Sequence, residues 1–212
     1  MSLFIEKGRR TITYIVFDEA NQAGTAERTL IYTDYTSPKI YLSQPLRYTI
    51  TDLYDVNFAE NLTAWDCLDG DITNQIRISQ TEDYYYEAKE YNITAQVTNG
   101  AGDVCVVPMQ IEGVDSSDKE ESAKYYPMLS EYIVYTSVGN ELNPRDYIIG
   151  VMNGETGYTF AENSYILALT AEDIQIESEV DYSAAGVYTV RYSYTTSEGI
   201  EAVTKLYVVV EG

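Results

Sequence analysis

The sequence predicts an all-β protein made of small tandem β-sandwiches, and three observations carry that prediction. A strand–turn–strand unit recurs: residues 12–21 read ITYIVFDEAN, 93–102 read ITAQVTNGAG and 190–199 read VRYSYTTSEG. The intervals of 81 and 97 residues are too long for solenoid repeats and suit small sandwiches. The composition is rich in β-formers, with 22 Tyr, while only 5 Pro and 13 Gly interrupt them. Nothing along the chain has the period of a long amphipathic helix.

Each copy of the unit reads as a β-hairpin. Ile12, Tyr14 and Val16 share one face of a strand, as do Ile93, Ala95 and Val97, and Val190, Tyr192 and Tyr194. Such alternation means one face on a core. The turns carry Asp18, Asn99 or Thr196, then Asn21, Gly102 or Gly199 three positions on. Asn and Gly tolerate positive φ, so that position calls for a left-handed residue. The returning strands hold Leu30 and Tyr32, then Val107, Met109 and Ile111, then Leu206, Val208 and Val210. Pro108 lacks a backbone donor and places its strand at a sheet edge there.

Further short β-runs precede the later two hairpins. Before the middle hairpin they are 40–42, 48–50, 56–58, 62–65 and 76–78; before the last, 132–136, 147–152, 165–169 and 174–176. The acidic stretch 115–121 (DSSDKEE) has no apolar period and reads as a linker. The expected organisation is therefore a hairpin over 4–35, a module over 36–114, a linker over 115–124 and a module over 125–212. A lone two-stranded hairpin is marginal in water. The first hairpin thus reads as the remnant of an upstream module, or alternatively as extra strands of the middle module's sheet. The ends, Met1–Leu3 and Glu211–Gly212, read as the borders of an excised fragment.

Charge and residue usage exclude several functions. Thirteen Lys and Arg stand against 34 Asp and Glu, a net charge of −21. That field repels nucleic acid and anionic membrane and favours solubility or basic partners. The chain has no histidine. The commonest general base and metal ligand are missing, so Ser-His-Asp, Cys-His and the usual zinc sites are ruled out. With no nucleophile–base pair in view, the expectation is a non-enzyme without a cofactor. No apolar run approaches a membrane span, so membrane insertion is not expected.

The run Ala64-Trp65-Asp66-Cys67-Leu68-Asp69-Gly70-Asp71-Ile72-Thr73 resembles the A-x-D-x-x-D-G-D-[IL]-T signature of bacterial immunoglobulin-like repeats. Those repeats occur in tandem on surface and secreted proteins and in some pesticidal crystal toxins. The family's G-x-Y-x-V-x-Y strand is matched by Gly186-Val187-Tyr188-Thr189-Val190-Arg191-Tyr192 and in part by Tyr91 and Ile93, with Ala95 departing from it. Gly139-Asn140-Glu141-Leu142-Asn143-Pro144 resembles the G-E-x-F-D-P turn near a module start; no D-G-D stands in that last module. The resemblance implies two immunoglobulin-like β-sandwiches, exported to the cell surface or outside the cell. It implies a spacer or adhesive role, with neighbouring domains, a protein or a glycan as partner, and no catalytic residues.

Four candidate features follow, each with a plainer alternative. Asp66, Asp69, Asp71, Asn99 and Asp103 fall at one end of such a sandwich and could supply oxygens to calcium; the alternative is turn chemistry. Cys67 and Cys105 occupy the same two regions, with 37 residues between them. A bridge there would be worth on the order of 3–4 kcal/mol; the alternative is two free thiols. Tyr84, Tyr85 and Tyr86 could present rings to a sugar, or pack in the strand. Tyr91 and Tyr188 suit a corner role, ring inward and hydroxyl on backbone; the alternative is ordinary core packing without that bond. Asn61-Leu62-Thr63 and Asn92-Ile93-Thr94 match the glycosylation pattern by chance, and Trp65, the only tryptophan, reads as core.

Overall fold

The computed structural model describes residues 8–80, 87–161 and 169–212. Sixteen strands are described within them. A hairpin of β1 (Arg9–Phe17) and β2 (Ala23–Ile31) comes first. Seven strands follow: β3 (Lys39–Leu42), β4 (Arg47–Thr49), β5 (Leu62–Asp66), β6 (Gly70–Asp71), β7 (Arg77–Gln80), β8 (Glu90–Thr98) and β9 (Val104–Val114). Then come β10 (Tyr126–Leu129), β11 (Ile133–Ser137), β12 (Ile148–Asn153), β13 (Thr156–Thr159), β14 (Gln175–Ser178), β15 (Gly186–Thr195) and β16 (Glu201–Glu211).

These strands form two sandwiches of the same topology. In the first, a three-stranded sheet β3-β5-β6 faces a four-stranded sheet β4-β9-β8-β7; in the second, β10-β12-β13 faces β11-β16-β15-β14. In each, the second strand runs parallel to the last: β4 with β9 and β11 with β16. Two packed sheets with this parallel pairing make both units immunoglobulin-like sandwiches. The repeat read from one hairpin thus extends to the whole seven-strand unit.

Alternation decides which residues are inside. In β8 the pattern buries Tyr91, Ile93, Ala95 and Val97, and in β9 it buries Cys105, Val107, Met109 and Ile111. They meet Ile40, Leu42, Leu62 and Ala64 of the smaller sheet. The second core uses Leu129 and Val151 against Val190, Tyr192, Leu206, Val208 and Val210. β4 pairs only with Glu112, Gly113 and Val114, so the far edge of β9 is open at Pro108, as its missing donor requires.

All three hairpin turns share one geometry. The first turn residue accepts from the amide three positions on, at 2.9 Å in each copy: Asn21 to Asp18, Gly102 to Asn99 and Gly199 to Thr196. The expected left-handed residues stand there, with φ of 60° at Asn21, 89° at Gly102 and 85° at Gly199. A side-chain oxygen of Asp18, Asn99 or Thr196 takes the amide that opens the returning strand.

The structure departs from expectation at several points. The run 56–58 is irregular at 56–57 and turn at 58, β10 was not anticipated, and 165–168 lie outside the described residues. Residues 115–124 fold into tight turns, and Asn153 donates to the carbonyls of Ser122 and Lys124, tying them to β12. β1 and β2 pair only with each other among the described residues, which removes the reading of them as extra strands of the next sheet. Tyr14, Ile15, Val16 and Phe17 are exposed.

Candidate functional site

The acidic end of the first sandwich is a hydrogen-bonded latch. Asp66 ends β5 facing inward and is 1% exposed. Its Oδ1 accepts from the amides of Leu68 (2.9 Å) and Asp69 (3.0 Å), and its Oδ2 from Asn99 Nδ2 (2.9 Å). Asn99 Oδ1 takes the amides of Ala101 and Asp103 within its own turn. Asp69 accepts from the Gly100 amide, and a Cβ on Gly100 would sit 3.0 Å from that carboxylate. Asp103 accepts from the Tyr35 hydroxyl at 2.7 Å.

The residues expected to bind calcium are engaged with one another and with backbone donors. Asp66, Asp69, Asn99 and Asp103 do meet, but their oxygens are turned onto backbone and side-chain donors. Asp71 is apart and exposed, its Oδ1 on the Thr73 amide, and this bond holds its carboxyl below the usual range. Among the described residues no group of three or more acidic or thiol side chains is arranged to hold a metal. Within the D-G-D run Asp71 makes a local turn bond to the Thr73 amide, while Asp69 reaches the Gly100 amide of the hairpin turn. Tyr35 was missed because its partners lie 64 and 68 positions away. Burial, with the Asp103 bond second, raises its hydroxyl pKa.

The disulfide expectation is corrected, since both thiols are free. Cys67 faces out of the loop and donates to the Thr36 carbonyl at 3.2 Å. Cys105 belongs to the inward face of β9, and its Sγ lies 3.6 Å from the Tyr135 hydroxyl. Burial pushes the Cys105 thiol up. Tyr84, Tyr85 and Tyr86 lie outside the described residues. Both corner tyrosines behave as expected: Tyr91 donates to the Glu87 carbonyl at 2.9 Å and Tyr188 to the Ala184 carbonyl at 3.1 Å.

The densest long-range chemistry lies where the two sandwiches meet. Arg47 of β4 makes a 2.7 Å bond to Glu112, donates to the Val203 carbonyl of β16 at 2.8 Å, and stacks 3.2 Å from the Tyr126 ring centroid. Guanidinium geometry allows all three at once. The Tyr135 hydroxyl clamps Ile40, accepting from its amide (2.7 Å) and donating to its carbonyl (2.9 Å). Tyr207 accepts from the Gln110 amide at 2.8 Å. Lys205 bonds Glu90 and Gln110, and Lys39 pairs with Glu211 at 3.5 Å. Burial raises the pKa of Tyr126, Tyr135 and Tyr207.

One group in this joint is unsatisfied. Thr204 is 2% exposed and its Oγ1 has no hydrogen-bond partner among the described residues. Replacing a buried unpaired hydroxyl by a methyl removes a desolvation cost. Thr204→Val is expected to leave stability unchanged or raise it by up to about 1 kcal/mol, read from urea midpoints. A comparable loss would show that the hydroxyl is partnered.

Trp65 is not core: it is 57% exposed. In β5 the inward positions are Leu62, Ala64 and Asp66, so Thr63 and Trp65 point outward. The tryptophan shares that outer face with Tyr41, which is 39% exposed. The period-two register of the D-G-D strand carried this signal, because an inward Asp66 forces its neighbour out.

No protein-family model matches the chain, and no curated protein matches it. Among solved structures the chain is similar to the M60 catalytic domain with the CBM51-1 and CBM51-2 domains of Clostridium perfringens ZmpB, at 12% identity and a TM-score of 0.28 over 98% of this chain and 26% of that one. It is similar to the protocadherin GammaB4 extracellular domain at 11% identity and a TM-score of 0.25, over 97% of this chain and 39% of that one. A third is human CDH23 EC21-23, at 12% identity and a TM-score of 0.24, over 95% of this chain and 74% of that one. The chain thus spans about a quarter and two-fifths of the first two structures.

Proposed function

We propose that the chain is a non-catalytic extracellular spacer and interaction segment of a larger bacterial surface or secreted protein, its tandem sandwiches held at a fixed angle. The observation that carries this reading is the joint. Arg47, Tyr126, Tyr135 and Tyr207 use directional bonds to backbone of the opposite sandwich, which fix orientation as well as distance. A flexible tether would need none of them. The buried apolar residues of both sandwiches also belong to one cluster. The resemblance of 64–73 to bacterial immunoglobulin-like repeats supports the location, and the lack of histidine supports a non-enzymatic role. In the same reading the hairpin β1–β2 belongs to a further sandwich. It matches β8–β9 and β15–β16 in turn geometry and in antiparallel pairing.

Residual dipolar couplings test the fixed angle. One alignment tensor is expected to fit both sandwiches. In Arg47→Ala with Tyr135→Phe, which removes several interactions worth about 1 kcal/mol each, the tensors are expected to separate while each sandwich stays folded. Separate tensors in the unaltered chain would end the spacer reading.

A further inference from the structure

We propose that the outer face of the β3-β5-β6 sheet is a binding platform for neutral polysaccharide, with Trp65 and Tyr41 as its stacking rings. This goes beyond the spacer reading and does not rest on it. The two rings lie on adjacent strands, Lys39 opposite Trp65 and Tyr41 opposite Thr63. Both therefore project from one surface at a diagonal spacing of roughly 7–8 Å between Cα atoms.

The Tyr41 ring is braced before any ligand arrives. Tyr41 stands edge-on to Tyr135 with centroids 6.1 Å apart. Gly70, at φ 74°, stands beside the indole edge: a Cβ there would make only ordinary contact, 3.8 Å from Trp65 Cη2. A preorganised platform loses little entropy on binding. Around the rings stand polar groups of the kind sugar hydroxyls use. The Thr63 hydroxyl is exposed; Asp71, directly opposite Trp65, is exposed and spends one oxygen on Thr73.

The surroundings select the ligand. Aromatic faces take the C–H face of a sugar, while the polar rim takes its hydroxyls. Two rings in a polar rim offer too little apolar area for a stable protein interface of about 800 Å² per partner. Lys39, the one cation that β3, β5 and β6 carry, is drawn to Glu211 and lies 4.7 Å from the Tyr135 ring centroid. With Asp71 beside the rings and a net charge of −21, acidic sugars are repelled.

The test uses the full chain with soluble xylan, mannan and mixed-linkage glucan, and with alginate and polygalacturonate as acidic probes. Trp65 is the only tryptophan, so its fluorescence reports this face alone. At least one neutral polymer is expected to shift that emission and to retard the chain in affinity gels, and the acidic polymers to do neither. Trp65→Ala is expected to lower affinity about tenfold or more without lowering the melting temperature. Trp65→Phe is expected to retain part of the binding, and Tyr54→Ala, at an exposed ring elsewhere, all of it. Absence of binding to all neutral polymers, preference for acidic ones, or unchanged affinity in Trp65→Ala would each overturn the proposal. So would a dimer by sedimentation that Trp65→Ala converts to monomer, because the face would then serve a second copy.

Discussion

Raising the pH from 10 to 12 is expected to unfold the chain in one steep transition. The cause is a set of phenols that the fold keeps neutral. Tyr207 is 6% exposed, and burial, reinforced by the charge of Glu90, pushes its pKa up to about 12 from 10.0 despite the Gln110 amide donor. Tyr126, Tyr135 and Tyr192 are raised as well, by burial first in each case. A folded pKa above the unfolded one gives a contribution that is complete below pH 10 and is lost as the pH climbs toward the folded value. For Tyr207 alone that loss is on the order of 2–3 kcal/mol by pH 12. Several such groups together reach the roughly 5–15 kcal/mol that holds an ordinary domain folded. Each new phenolate also adds repulsion to a chain already at −21. Urea midpoints between pH 8 and 12, followed with tyrosinate absorbance, are the measurement. Tyr207→Phe is expected to flatten the slope. Stability that stays level to pH 12 would show that these phenols are not buried as described.

Three of these four tyrosines sit in the joint, which explains what the sequence could and could not show. Strand faces were legible because alternation is local: Ile93, Ala95 and Val97 announce an inward face without reference to any other strand. The left-handed turn position was legible because Asn21, Gly102 and Gly199 recur at one offset. The corner role of Tyr91 and Tyr188 was legible because both hydroxyls reach a carbonyl only four residues back. The joint was not legible. Arg47 and Val203 are 156 positions apart, and Tyr135 and Ile40 are 95. No local pattern marks an arginine that will stack on a tyrosine from another sandwich. Trp65 failed for a different reason. Its size suggested core, but the neighbouring Asp66 is claimed by three donors inside, and strand geometry then leaves the indole outside.

That same Asp66 carries the second large effect. Asp66→Ala is expected to destabilise the first sandwich by about 3 kcal/mol, because it removes three bonds at a buried carboxylate: those from the Leu68 and Asp69 amides and one from the buried Asn99 Nδ2. Asp66→Asn keeps an acceptor for Leu68 and Asp69 but turns an amide donor toward Asn99 Nδ2. Asn99 cannot rotate to accommodate it without surrendering the amides of Ala101 and Asp103. The asparagine variant is therefore expected to lose stability as well, by roughly half as much. Asp71→Ala, at an exposed carboxylate on the same D-G-D run, is expected to change stability by less than about 0.5 kcal/mol. Asp66→Ala combined with Asn99→Ala is expected to cost less than the two changes added together, since each removes the other's partner. Denaturant unfolding followed by Trp65 fluorescence reads these variants and Asn99→Ala alone, as the indole directly precedes Asp66 in β5. Equal, small losses at Asp66 and Asp71 would mean that the acidic run is surface charge and not the latch that joins β5 to the last hairpin turn.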